Sequence, residues 1–321
     1  MIKNIKASII IPTKNPGVQF KSVLNAVLNQ TTSFEYEVLV IDSGSNDGTL
    51  EYLNTLNVVC LRVHSIAPVS YGHGRTRNLA VSMTSGEFAV LITHDAKPVN
   101  DKWLAELVKV AESDASIAGV FGRHIAYPEA DPYTRQELID HFDGFIDSAV
   151  VAMDDPERYK CDQGLRQFLH FFSDNNALIR RSIWKDIPYP DVDFAEDQQW
   201  AKLIIEAGYK KAYAHDSVVY HSHQYTLVER MKRSFDESYA FKRYFGYVLC
   251  PGLNYLIRSW MVLTYLDARK SIKMGFLKGH LYWVIRRPFD NFMKVVGHYL
   301  GGIGNSLPDS CKKWFSWDAR Y

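Results

Sequence analysis

The chain contains no run of eighteen apolar residues, the minimum for a membrane-spanning helix. Its most apolar long stretch, Gly246 to Leu266, is interrupted by Pro251, Asn254 and Arg258, which argues against a span. The opening MIKNIKASIIIPTKN keeps its apolar run inside a strand signal and lacks a small-residue cleavage site, so no secretory peptide is expected. Cysteine is scarce. Cys60, Cys161, Cys250 and Cys311 show no paired spacing, which disfavours a zinc knuckle and points to a reducing, cytoplasmic setting. The first strand signal is followed by Thr13-Lys14-Asn15, not by a glycine-rich phosphate loop, which counts against a nucleotidyltransferase. An acidic body and the absence of any recognition motif make a nucleic-acid binder a poor fit.

With 321 residues, 47% of them hydrophobic and 13% aromatic, the chain can bury one full core and carry an appendage. The net charge of +1 conceals an asymmetry: residues 224–321 carry a net of +9 and residues 1–223 a net of −8. We place a boundary near 224. Beyond it helical patterns dominate, with Lys and Arg beside aromatic residues, as in Trp283-Val284-Ile285-Arg286-Arg287 and Lys312-Lys313-Trp314-Phe315. A basic, aromatic tail suits an anionic surface, here the cytoplasmic face of a membrane. The competing reading is a helical bundle whose basic face is merely solvated.

Residues 1–223 alternate strand and helix signals. Ala7–Pro12 reads as a fully apolar strand, Val18–Asn29 as a helix, Tyr36–Ile41 as a second strand ending in Asp42, and Val58–Val63 as a third. Such an order predicts right-handed parallel units. Phe88–Ile92 is a fourth strand, five apolar residues long as in a sheet covered on both faces, running into Thr93-His94-Asp95. In open α/β sheets the ligand sits off the carboxyl ends of the strands, so Asp95 is expected at the mouth of the crevice. A helix N-cap is the other reading of a strand-end Asp, although Asp101 supplies a better cap for the helix that follows.

The segment His64–Asn78 is long for a connection and ends in Gly72-His73-Gly74-Arg75-Thr76-Arg77-Asn78 at a helix start, where arginines and free backbone N–H groups can meet an anion. Solvated arginines are the alternative, preferred for Arg75. A fifth strand is expected at Ile117–Phe121, helix over Arg135–Val151, and strands at Phe168–Phe172 and Ala177–Ile179. Asp193-Phe194-Ala195-Glu196-Asp197 leads an amphipathic helix, and its acids suit the helix dipole by themselves. Strand-like sequence over Tyr213–Tyr220 ends in His221-Ser222-His223.

Together, Ile10-Ile11-Pro12-Thr13, Val40-Ile41-Asp42-Ser43-Gly44-Ser45 with Asp47-Gly48-Thr49, Thr93-His94-Asp95, Glu196-Asp197 and His221 resemble the family-2 inverting glycosyltransferases. The resemblance covers roughly residues 7–223. Within the family, YGHGRTRN, LITHDAKP, FGRHIAYPEADP, FFSDNNALIRRSIW and VVYHSH look most like bacterial rhamnosyltransferases of surface-polysaccharide synthesis.

This resemblance implies a GT-A fold, α/β and Rossmann-like, with a mostly parallel central sheet and flanking helices, plus a helical C-terminal region. It implies a donor nucleotide along Pro12, Thr13, Asp42, Arg77, His94 and Asp95. It puts Arg123 and Asn176 toward the sugar or acceptor, and Asp197 in the role of base with Glu196 as helper or cap. Thr93-His94-Asp95 stands where the family carries Asp-X-Asp, so Asp95 is the one strong carboxylate ligand for Mn2+ or Mg2+, with His221 as its partner. His223 points to the other strand face by the period of two. The implied partners are a nucleotide sugar, expected to be dTDP-L-rhamnose, and a lipid-linked or glycan acceptor. A uridine-linked hexose as donor and a non-catalytic sugar- or lipid-binding relative remain the rivals.

Overall fold

A computed structural model describes residues 4–192 and 194–317; Asp193, expected to lead into an acidic helix start, lies outside them. The chain divides into two compact units. The first comprises residues 1–127, 137–192 and 196–222, the second residues 128–136, 193–195 and 223–321.

In chain order the strands are β1 (Ile5–Thr13), β2 (Glu35–Asp42), β3 (Leu61–Ser65), β4 (Phe88–Ile92), β5 (Lys97–Pro98), β6 (Ile117–Ile125), β7 (Val150–Val151), β8 (Asn176–Arg180) and β9 (Lys210–Tyr220). They form one sheet in the order β3-β2-β1-β4-β8-β6-β9-β5, with β7 also paired to β9. The run β3-β2-β1-β4 is parallel, as the alternating signals predict. Beyond it β8 is antiparallel to both β4 and β6, and β9 returns parallel to β6.

Alternation explains why so much of the sheet is apolar. Ile9, Ile11, Val38, Val40, Val90 and Ile92 face one side, against Phe20, Val23, Leu24 and Val27 of α1 (Gln19–Leu28). After α2 (Thr49–Thr55) and α3 (His73–Ser82), α4 (Trp103–Glu112) adds Trp103, Leu104 and Leu107 to that layer. Ile10, Leu39, Ile41, Ala89 and Leu91 face the other side, against Ala80 and Val81 of α3. Both faces are therefore buried, and each such side chain is worth roughly 1.5–3 kcal/mol, which fixes the strand ends with little help from the loops.

Three expectations need correction. The third strand runs Leu61–Ser65, because Leu61 N–H bonds back to Val58 and leaves Val59 exposed in a turn. Helix α5 (Pro132–Asp143) ends before Gly144; a 3-10 turn at Ile146–Ser148 follows, and Val150–Val151 is drawn into the sheet by β9. Phe168–Phe172 is no strand. After α6 (Pro156–Cys161), Asp162 caps α7 (Gln163–His170) by accepting from Leu165 N–H, and Leu165, Phe168, Leu169 and Phe172 recur at helical spacing. Helix α8 (Arg181–Asp186) follows β8 directly, and α9 (Glu196–Glu206) buries Trp200, Ala201, Ile204 and Ile205.

The second unit is helical: α10 (Leu227–Phe245), α11 (Leu253–Lys273), α12 (Leu281–Gly302) and α13 (Asp309–Phe315). A reciprocal capping box, Thr226 with Glu229, starts α10, and Gly246 in the left-handed region stops it. Gly297 and Gly301 of α12 lie against the backbone of Met231 and Phe235, where any Cβ would collide, so α10 and α12 pack unusually close. Arg286 and Arg287, expected to face an anionic surface, turn inward. Arg287 Nε meets Asp267 at 2.7 Å and Arg286 Nε meets Asp290 at 3.2 Å. No helix among the described residues is long and apolar enough to cross a membrane.

Candidate active site

Strand β4 ends at Ile92, and Ala96 N–H bonds back to Thr93 O, which turns the chain over Thr93-His94-Asp95. Lys97 then pairs with Tyr220 of β9. That two-residue ladder brings Asp95, just before β5, beside His221, just after β9. The Asp95 carboxylate stands 3.6 Å from His221 Nε2. Tyr127 donates to the Asp95 carbonyl at 3.0 Å and stacks on Tyr220, bracing the turn. Because β8 is antiparallel to β4, with Ile92 opposite Asn176, the residues before β8 arrive at the same edge. The Asn175 amide accordingly reaches His221 Nδ1 at 3.4 Å. An amide can satisfy either imidazole tautomer, including the one that leaves the Nε2 lone pair toward Asp95.

Thr93 Oγ1 is buried without a hydrogen-bond partner, and His94 is half-buried on the turn. A carboxylate oxygen and an imidazole nitrogen 3.6 Å apart form an O/N donor pair of the kind that Mn2+ or Mg2+ accepts. His223 belongs to the second unit. His124 had not been singled out, yet its buried ring lies edge-on to His221 at 5.4 Å. Burial first, then the neighbouring His221 and His141, hold His124 well below the usual imidazole range, so it stays neutral. The alternation of β6, with Arg123 and His124 on opposite faces, was the available signal.

On the other side of β4, β1 and β2 end together, with Thr13 opposite Asp42. Both side chains are buried, and so is Pro12. Asp42 accepts from the N–H groups of Gly44 and Ser45 at 2.9 and 3.0 Å, and Ser43 donates twice to Thr13 O. The Asp42 carboxylate thus shapes the loop that closes this end of the sheet.

The third group gathers around Arg77 of α3. Its guanidinium pairs with Glu196 at 2.7 Å and with Asp174 at 2.9 Å, and all three side chains are at least nine-tenths buried. Tyr189 donates to Asp174 at 2.7 Å. Asp197, next to Glu196 in the first turn of α9, accepts from Gln198 N–H at 2.7 Å and, at 3.5 Å, from Asp174 N–H. Ala195 just before it adopts φ 57°, a left-handed conformation that costs a β-carbon residue energy. Two carboxylates thus pair with one guanidinium, and a third, Asp197, follows Glu196 directly in the chain. Burial, then the charges of Glu196 and Asp174, push the Asp197 carboxyl well above its ordinary range. Burial also raises Asp174, and Glu196 adds to it, against the pull of Arg77.

Two expected ligand contacts are displaced. Arg77, expected along the donor nucleotide, is spent on Glu196, Asp174 and the His73 carbonyl. Asn176, assigned to the acceptor side, is wholly buried; it accepts from Trp103 Nε1 at 2.7 Å and donates to the carbonyls of Ser217 and Arg123. It crosslinks the sheet to α4. Arg123 pairs with Asp143 at 3.2 Å and touches His215 at the same distance, on the strand face opposite His124.

Residues 8–187 match the family described as glycosyl transferase family 2. This chain is a family-2 glycosyltransferase. It is 32% identical to the O-antigen chain rhamnosyltransferase RfbN of Salmonella typhimurium, over 97% of this chain and 94% of that protein. It is 28% identical to the O-antigen chain rhamnosyltransferase WbaN of Salmonella anatum, over 96% and 93%. Among solved structures it resembles the mannosyltransferase PcManGT of Pyrobaculum calidifontis, in complex with GDP-Man and Mn2+, with a TM-score of 0.60 at 15% identity over 95% of this chain and 89% of that one. Staphylococcus aureus TarS in complex with UDP-GlcNAc gives 0.54 at 18% identity, over 93% and 92%. The glycosyltransferase therefore has the GT-A fold, followed by a helical region.

Proposed function

We propose that this glycosyltransferase moves L-rhamnose from dTDP-L-rhamnose to a lipid-linked or glycan acceptor in O-antigen-like synthesis, inverting the β-linked donor to an α-L-rhamnoside. The Asp197 cluster carries the chemical half of this reading. An acceptor hydroxyl attacks the anomeric carbon; the bond from that carbon to the diphosphate oxygen breaks; the hydroxyl proton passes to the Asp197 carboxylate. A carboxyl raised by burial and by Glu196 is a better proton acceptor at neutral pH than an ordinary Asp. Arg77 and Asp174 hold that group in place without touching substrate. Asp95 and His221 would hold Mn2+ or Mg2+. Such an ion supplies Lewis-acid relief of the charge developing on the departing diphosphate. Pro12, Thr13, Asp42 and His94 line the nucleoside and phosphate side of the donor.

The two Salmonella relatives, named as O-antigen chain rhamnosyltransferases, support the sugar and the pathway class. In this reading residues 1–223 are the catalytic domain, and residues 224–321 serve the acceptor at the cytoplasmic face of a membrane. The test is a panel of dTDP-, UDP- and GDP-linked sugars with manganese, read by melting temperature and by the anomeric configuration of the product. Selective stabilisation by dTDP-L-rhamnose and an α-linked product are expected. Selective binding of a uridine or guanosine sugar, or retention of the β configuration, overturns it.

A further inference from the structure

The helix α11 buries Leu256 and Ser271 and leaves most of its remaining apolar side chains in solvent. Ile257, Met261, Tyr265 and Ile272 lie on one arc, with Met261 61% and Ile272 70% exposed. At 100° per residue these four positions fall within a quarter turn, so they form a stripe. The start of α12 adds Ile285 and Phe289, each more than half exposed. An exposed apolar stripe of this extent on a surface helix marks a docking surface.

The charges around the stripe select the occupant. Arg258, Arg269 and Lys273 of α11 are exposed, and Lys278 follows in the loop. From Leu253 to Phe289 the sequence holds a single acid, Asp267, and it is turned inward, accepting from Arg287 and from Asn291. The exposed face is thus apolar and cationic, with no carboxylate of its own. Two copies meeting through it would set cation against cation, whereas an apolar medium bounded by anionic groups matches both components.

We infer that α11 and the start of α12 form a monotopic membrane-binding face, lying in the headgroup layer of an anionic bilayer. Ile257, Met261, Tyr265 and Ile272 enter the acyl boundary, and Arg258, Arg269 and Lys273 reach the phosphates. The inference rests on the reading that the enzyme serves a membrane-borne acceptor, and it moves the contact away from the arginine pair at the start of α12.

Sedimentation with vesicles of phosphatidylcholine containing phosphatidylglycerol tests it, with no sugar acceptor present. The wild-type chain should bind, more weakly as salt rises. The variant Arg258→Glu/Arg269→Glu/Lys273→Glu should lose about a hundredfold in partition, from roughly fivefold per cation removed. Lys160→Glu/Lys185→Glu, exposed in the other unit, should bind like wild type. Met261→Trp should show a blue-shifted fluorescence with anionic vesicles and not with neutral ones. Equal binding to neutral and anionic vesicles, an unaffected triple variant that retains its helical circular dichroism, or a dimer that is broken by Met261→Glu would overturn the face. Transfer to a water-soluble acceptor analogue is measured separately. Transfer without vesicle binding sinks this face alone, and vesicle binding without transfer sinks the rhamnosyltransferase reading alone.

Discussion

Two groups of ionisable side chains stand at the carboxyl end of one sheet and are built in opposite ways. Asp95 meets His221 across 3.6 Å with both side chains partly open to solvent. Asp174 and Glu196 close on Arg77 in the interior, and Asp197 is raised by their charge. In the proposed reading a metal ion joins the halves of the first arrangement. The second is finished by the protein, and its burial and crowded charges raise Asp197, the base of the proposed reaction. An open pair can lose a member without unfolding the chain; a closed ion cluster cannot.

The largest effect should come from the open pair. Asp95→Ala should lower transfer by about a thousandfold, several kcal/mol of charge stabilisation, and abolish manganese-assisted nucleotide binding while thermal unfolding stays near wild type. Activity that persists in excess chelator would remove the metal from the scheme. Arg77→Ala should do the reverse, with stability lost first. It strands two buried carboxylates, and about 3–5 kcal/mol should disappear in a urea titration. A variant as stable as wild type would mean that the cluster is not closed in solution.

Next in size is Asp197→Asn, which should cost transfer a factor of roughly a hundred or more with donor affinity unchanged. It should also raise the melting temperature near neutral pH. The folded-state carboxyl is raised, so stability is lost as pH climbs from the ordinary carboxyl range to that raised value and stays lost above it, and a permanently neutral amide avoids the penalty. The advantage should fade as pH falls toward the ordinary carboxyl range, where Asp197 is neutral as well. The smallest effect is expected of Glu196→Gln. Removing that charge should lower the Asp197 carboxyl and shift the acid limb of the kcat profile to lower pH. A limb that stays in place would remove Glu196 as the source of the shift, and a loss of about a hundredfold with Asp197→Asn still active would transfer the base role to Glu196.

Local pattern was enough to find the parallel half of the sheet, because each of its strands is a short apolar run bounded by turn residues, and the strand ends carrying Thr13, Asp42 and Asp95 followed from it. The antiparallel entry of β8 was not legible. Nothing in Ala177-Leu178-Ile179 states strand direction, yet that direction decides that Asp174 and Asn175 reach the site. The family resemblance puts Asn176 toward the sugar or acceptor; its amide instead ties Trp103 to the backbone of two strands. Arg77 fits an anion site by type and by position at a helix start. The anions it meets are side chains supplied from far along the chain, which helix-start chemistry cannot specify.

The short ladder between Lys97 and Tyr220 also sets an order of events. Asp95 is made early and His221 much later, after every other strand has left the ribosome, and the pair exists only once β9 has threaded between β6 and β5. Synthesis proceeds from the N-terminus, and contacts between distant segments form slowly. A nascent chain stalled before residue 210 can therefore hold a paired β1–β4 core and expose Asp95, yet have no second ligand beside it. If Asp95 and His221 hold the metal as proposed, its capture is a late event of biogenesis, coupled to completion of the sheet.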